Sequence, residues 1–103
     1  MTAYSVQFAT VAERHLSAIN EWWQANRPSA PGLFKRELTE AVQRLVDAPY
    51  SGSPYAAPRP SGARRLFLSQ TGYHIYYTID EARAMVTIRA IWHTARGRPP
   101  RLR

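Results

Sequence analysis

RRLFLSQTGYHIYYTIDEARAMVTIRAIWHTARGR, residues 64–98, decides the fold. It holds three short runs rich in Val, Ile, Tyr and Phe, broken at Thr71-Gly72 and at Asp80-Glu81, and each run alternates with a period of two. Successive side chains on a strand point to opposite faces, so the middle run sets Tyr73, Ile75, Tyr77 and Ile79 on one side and His74, Tyr76 and Thr78 on the other. The same alternation predicts Val86, Ile88, Ala90 and Trp92 on one face of the last run, with Thr87, Arg89, Ile91 and His93 opposite. The first run adds Leu66 and Leu68 to the apolar side, and Arg65 and Phe67 to the other. One face of a three-stranded meander is therefore expected to be core. The other is expected to collect Arg65, His74, Tyr76, Arg89 and His93, and function is to be sought there.

Upstream, Ala3 to Phe8 alternates with Tyr4, Val6 and Phe8 on one side and reads as a strand. From about Thr10 to Asn26 the period becomes helical, with Ala12, Leu16, Ile19 and Trp23 on one stripe. Thr10 and Glu13 have the spacing of a capping box. Arg27-Pro28 ends the helix, because proline disfavours a helical residue before it. After the short Ser29–Gly32 connection, with Pro31 suited to a first helical turn, a second helix is expected to about Asp47, with Phe34, Leu38, Ala41, Val42 and Leu45 inward. Pro49 to Gly62 is too rich in proline and glycine for a helix or an interior strand and reads as a loop, either a plain connector or a recognition element. Residues 1–98 are expected to form one domain, and 99–103 a frayed basic tail. The order strand, helix, helix, loop and three strands predicts a two-layer α+β fold, with both antiparallel helices on one face of a mainly antiparallel sheet.

A chain of 103 residues with 45% apolar residues is one globular domain. The absence of cysteine excludes disulfides, thiolate metal sites and cysteine nucleophiles. No apolar run has the length of a membrane span and no signal pattern opens the chain, so the cytoplasm is the expected compartment. The net charge of +7 is uneven. Residues 1–58 balance Arg14, Arg27, Lys35, Arg36 and Arg44 against Glu13, Glu21, Glu37, Glu40 and Asp47. Residues 59–103 set nine arginines against Asp80 and Glu81 alone, so the whole excess lies on the meander and tail. Such asymmetry suits an anionic partner, nucleic acid or an acidic protein segment; a merely solubilising basic surface is the plainer reading.

The segments YSVQFATVAERHLSAINEWW (residues 4–23), RRLFLSQTGYHIYY (64–77) and IRAIWHTARG (88–97) together resemble the ParE/RelE superfamily of small bacterial toxins, the ParE branch more closely. The resemblance spans nearly the whole chain. It implies the toxin of a type II toxin–antitoxin pair, neutralised by a cognate antitoxin in a hetero-oligomer. RelE-like members cleave mRNA on the ribosome, whereas ParE-like members are associated with poisoning DNA gyrase. RelE-like nucleases place basic residues on the open sheet face to stabilise the phosphorane formed when a ribose 2′-OH attacks. Arg65 matches the first such position. Phe67 stands where the second should be basic, His74 where an arginine follows the Gly-Tyr pair, and His93 at the basic position ending the last strand, with Arg96 nearby. These departures favour gyrase inhibition over RNA cleavage.

His74, His93 and Arg65 are thus the catalytic candidates if the chain is a nuclease, because imidazole titrates near neutrality and the arginine would stabilise charge; surface histidines are the plainer alternative. Arg65, Arg89, Arg96 and Arg98 are candidate contacts to phosphates or to acidic antitoxin side chains, or else solvated charges. Phe67 and Tyr76 among them could stack on bases, but aromatic anchors for an antitoxin are the preferred reading. Trp22 lies off the inward stripe and is the best tryptophan candidate for a protein contact. No metal or cofactor is expected: His15, His74 and His93 lack ligand spacing, and phosphate-loop, GxSxG and HExxH motifs are missing.

Overall fold

The computed structural model describes residues 3–57 and 59–102. Five strands form one sheet: β1 (Ser5–Phe8), β2 (Ser53–Pro54), β3 (Arg64–Leu68), β4 (Tyr73–Asp80) and β5 (Met85–His93), in the spatial order β1-β5-β4-β3-β2. The β3–β4–β5 meander is antiparallel, and β1 lies parallel to β5 at one edge. Two helices, α1 (Thr10–Asn26) and α2 (Leu33–Asp47), cover one face, giving the expected two-layer α+β fold. Among the described residues, no helix is long and apolar enough to cross a membrane.

The helical stripes meet the sheet as their periodicity requires. Ala12 and Trp23 of α1, and Phe34, Leu38, Ala41 and Leu45 of α2, pack on Leu66, Leu68, Ile75, Tyr77, Val86 and Ile88. Tyr77, Phe34, Leu45, Ile75 and Ile88 are fully buried. Each such side chain contributes roughly 1.5–3 kcal/mol by leaving water. Tyr4, Val6 and Phe8 of the first strand and its lead-in, with Leu16, Ile19 and Val42, close the periphery.

Three local expectations fail. Thr10 is the first helical residue, not the cap; Ala9 caps α1 without a side-chain bond and its carbonyl accepts from the Glu13 amide, so no capping box forms. Pro31 sits before the Gly32 cap of α2 and outside its first turn. The 49–62 segment is not structureless: Pro49–Ser51 make a 3-10 turn, and Ser53–Pro54 add a two-residue edge strand to β3, a position proline tolerates.

The largest correction concerns β5. Tyr76 pairs with Ala90 but Tyr77 pairs with Ile88, so Arg89 is an extra residue, a β-bulge. Beyond it the alternation reverses. Ile91 and His93 join the helix-covered side opposite Ile75 and Tyr73, while Ala90 and Trp92 join the open side opposite Tyr76 and His74. The expectation of Ala90 and Trp92 inward, with Ile91 and His93 outward, is therefore wrong. Deleting Arg89 should be tolerated. The shortened strand would alternate regularly with every remaining side chain on its present face, at a cost of about 1–2 kcal/mol for lost twist and for the Arg89–Thr78 hydrogen bond. Deleting Thr87 instead should abolish the cooperative urea transition, because it turns Val86 out of the core or strands Ile88. Equal urea midpoints for the two deletions would refute the bulge assignment.

Candidate functional site

The face away from the helices is where the sequence places its basic and aromatic candidates. Arg65, Phe67, His74, Tyr76 and Arg89 all project there. Phe67 is half exposed and its ring lies 5.1 Å from His74, which in turn lies 5.9 Å from Tyr76. Arg65 stacks over Tyr55 at 5.2 Å, and the Arg89 Nε donates to Thr78 Oγ1 at 3.1 Å. Burial, with the nearby Arg65 guanidinium, holds the His74 imidazole below its ordinary 6.5.

That face is not open along its length. Tyr76 is only 4% exposed, beneath the Tyr55 ring at 4.9 Å and in one cluster with Ala63, Ala90 and Leu102. The C-terminal segment expected to fray lies against the sheet instead, with Pro100 and Leu102 buried. Trp92 holds it there. The indole Nε1 donates to the Arg98 carbonyl at 2.8 Å, and the Arg96 and Arg98 guanidinium groups stack on the ring at 4.0 and 5.8 Å. A cleft of about 280 Å3 remains, lined by Arg65, His74, Tyr76, Trp92 and Arg98.

His93 borders the end of that cleft, but its imidazole stands on the helix side of the sheet, edge-on to Tyr73 at 4.9 Å. Its Nδ1 accepts from the Ala95 amide at 3.0 Å. Gly72, at φ +84°, completes the seat: a Cβ there would lie 2.9 Å from the His93 Nε2.

The helix side carries a larger cavity, about 650 Å3, between α1, the β3–β4 turn and the end of β5. Ile19, Trp23, Tyr73 and Ile91 line it with His93, and Trp22, 46% exposed, stands at its wall. His15 lines it as well and ties α1 to the sheet. β1 pairs only with Met85–Ile88, which leaves the Ile91 amide without a strand partner on that side, and the His15 Nδ1 accepts it at 3.2 Å. Burial, then the charge of Arg96, lowers the His15 pKa from 6.5. Only the neutral ring accepts at Nδ1.

A histidine pKa lower in the folded chain means that the unfolded chain binds more protons, so stability falls as pH drops below about 6.5. His15 and His74 act in the same direction. The Tm should fall by roughly a few degrees between pH 7.5 and 5.5, and His15→Gln should flatten part of that slope. An unchanged slope in His15→Gln would show that His15 does not carry it.

Sequence reasoning missed Tyr55, Trp92, Leu102 and Glu37. The Glu37 carboxylate, buried on α2, accepts the Gln70 amide at 2.7 Å, the Thr71 amide at 3.0 Å and the Thr71 hydroxyl at 2.6 Å. It thereby fixes the β3–β4 turn beside the cavity. The bulge left no distinguishing signal, because Ala90 and Trp92 continue the two-residue alternation of Val86 and Ile88 as readily as Ile91 breaks it. Among the described residues, no three potential metal-ligating side chains converge.

Comparison with known proteins agrees with this architecture. The sequence model described as the ParE toxin of the type II toxin–antitoxin system parDE matches residues 6–98. The chromosomal ParDE toxin–antitoxin system from P. aeruginosa includes a chain that superposes with a TM-score of 0.70 at 17% identity, over 88% of this chain and 96% of that one. A chain of the RelBE2 complex from Mycobacterium tuberculosis gives 0.53 at 22% identity over 93% and 97%, and a free E. coli RelE variant gives 0.58 at 16% over 91% and 86%. At these identities the structural likeness speaks for the fold alone. Comparison with curated protein sequences gives no significant match. With nearly its whole length matched, the chain belongs to the ParE toxin family of type II toxin–antitoxin systems.

Proposed function

We propose that this toxin acts by binding and inhibiting DNA gyrase, and that a cognate antitoxin neutralises it in a hetero-oligomer in the cytoplasm. The observation that carries the choice of target is the placement of the two histidines. Cleavage by 2′-OH attack needs a base and an acid within hydrogen-bond reach of one phosphodiester. The Arg89 bulge sets the His74 and His93 side chains on opposite sides of the sheet, and His93 Nδ1 already accepts the Ala95 amide. The centre of the face that would bind RNA is covered by Tyr55 and Leu102. A protein inhibitor needs neither the pair nor an open catalytic face. The antitoxin reading draws support from family membership and from neighbours such as the E. coli RelBE toxin–antitoxin complex.

The test is to add purified toxin to a gyrase supercoiling reaction and, separately, to a translating extract read by primer extension. Lost supercoiling with intact mRNA is the expected result. Codon-positioned cuts that disappear in His74→Ala would establish the ribosome-dependent mRNA endonuclease instead.

A further inference from the structure

We propose that the cavity between α1 and the end of β5 is the docking groove for an acidic segment of the antitoxin, one apolar or aromatic side chain entering it and carboxylates flanking that anchor. This deepens, and rests on, the antitoxin reading above.

Three observations carry it. The first is apolar surface where a folded chain has reason to hide it. Trp22 is 46% exposed beside Trp23, and the groove interior is Ile19, Trp23, Tyr73 and Ile91. Large aromatic side chains set around an apolar depression are the usual anchors of a protein contact.

The second is charge. Arg27 and Arg96 line the groove with His15 and His93, and no aspartate or glutamate does. Glu37, the carboxylate behind the nearby turn, is consumed by its three hydrogen bonds to Gln70 and Thr71. Among the described residues the sole ion pair is Arg83 with Asp80, far along the chain. Arg27 instead stacks on Trp22 and Trp23 at 5.7 and 5.9 Å, and Arg96, which lines both this groove and the open-face cleft, stacks on Trp92 at 4.0 Å. Both guanidinium planes are thus held in place with no carboxylate partner, ready for one.

The third is what the charge excludes. A second copy of this chain would bring another +7 to a basic surface, which opposes self-association through this groove. An acidic amphipathic segment is complementary to both the apolar interior and the flanking arginines.

The experiment is calorimetric titration of the toxin with the purified antitoxin encoded beside its gene, in 0.15 M salt. Trp22→Ala should weaken binding by about 30-fold or more, as loss of an interface tryptophan does. Arg27→Gln and Arg96→Gln should each weaken it roughly tenfold and flatten its dependence on salt. Arg83→Gln, which removes a charge from the exposed turn between β4 and β5 and outside the groove, should stay within about twofold, because a residue outside the contact has little effect. Circular dichroism melts of each variant establish folding, which these exposed positions should leave intact. Tight binding by the wild type that all three groove variants retain would overturn the groove and leave the antitoxin reading standing. Wild-type chain that does not bind the antitoxin would overturn both.

Discussion

Gly52→Ala should cost about 3 kcal/mol or more, a large share of the roughly 5–15 kcal/mol that holds a domain of this size. Gly52 has φ −78°, so alanine meets no backbone penalty there. The penalty is steric. A Cβ would lie 2.5 Å from the Tyr77 hydroxyl and 2.6 Å from the Arg65 carbonyl oxygen. The Tyr77 ring is fully buried, and its hydroxyl donates to the Pro49 carbonyl at 2.8 Å while accepting the Gly52 amide at 2.9 Å. Moving the hydroxyl away strands those groups, and moving the carbonyl parts β2 from β3. Neither relaxation is cheap. Tyr77→Phe should cost about 1–3 kcal/mol by leaving the same backbone groups unpaired. The double variant should be less than additive, since phenylalanine removes one of the two clashes. Gly97→Ala, with nothing within 4 Å, is the control and should stay within about 0.5 kcal/mol. Urea midpoints check the set. A Gly52→Ala midpoint equal to that of wild type would mean that the loop is not pinned to Tyr77.

That contact explains why the 49–62 segment reads only as a loop in the sequence. Its order comes from one buried hydroxyl on β4 and from Arg64, whose guanidinium donates to the Tyr50 and Gly52 carbonyls. Proline density reports that a segment cannot join a helix or an interior strand; it does not report which distant side chain ties it down. The helices and the core face of β4 were legible for the opposite reason. Ala12–Trp23, Phe34–Leu45 and Tyr73–Ile79 carry their periodicity within a single element, and burial of one face is enough to specify them.

The candidate site was legible as far as the bulge: Arg65, Phe67, His74, Tyr76 and Arg89 lie on the face that alternation assigns to them. Beyond it, the face assignment rested on unbroken alternation, and one inserted residue reverses every later side chain. Arg89 is that residue. It fits the open side, where its Nε donates to the Thr78 hydroxyl. The reversal removes His93 from the basic face and brings Trp92 to it, where the indole fastens the C-terminal segment. Trp22 was legible because a large apolar residue off a helix stripe has no core to enter. The groove beside it was not, because α1, the β3–β4 turn and β5 meet there from distant parts of the chain.

Glu37→Ala should destabilise the fold by about 3 kcal/mol, more than its position on a helix suggests. A glutamate among Phe34, Leu38 and Ala41 looks like an interruption of the inward stripe. Its carboxylate instead receives three donors from the β3–β4 turn: the Gln70 amide, the Thr71 amide and the Thr71 hydroxyl. Thr71 is itself buried, so alanine would leave its amide and hydroxyl in an interior that water reaches poorly. Donors to a charged acceptor contribute about 1.5–3 kcal/mol each, and an orphaned buried donor costs about 1–3 kcal/mol. Partial relaxation of the turn keeps the total well below the sum. Glu37→Gln should recover part of the loss, because one amide oxygen still accepts while the amide nitrogen opposes a donor. Thr71→Val, which removes the hydroxyl but keeps the shape, should cost less than Glu37→Ala and should couple to it in a double-mutant cycle. Hydrogen exchange localises the effect: the Gln70 and Thr71 amides should lose protection in Glu37→Ala before the β5 amides do. Because this turn borders the helix-side groove, Glu37→Ala should also loosen Tyr73 and the His93 ring packed on it. Unchanged protection at Gln70 and Thr71 would sink this account of the turn.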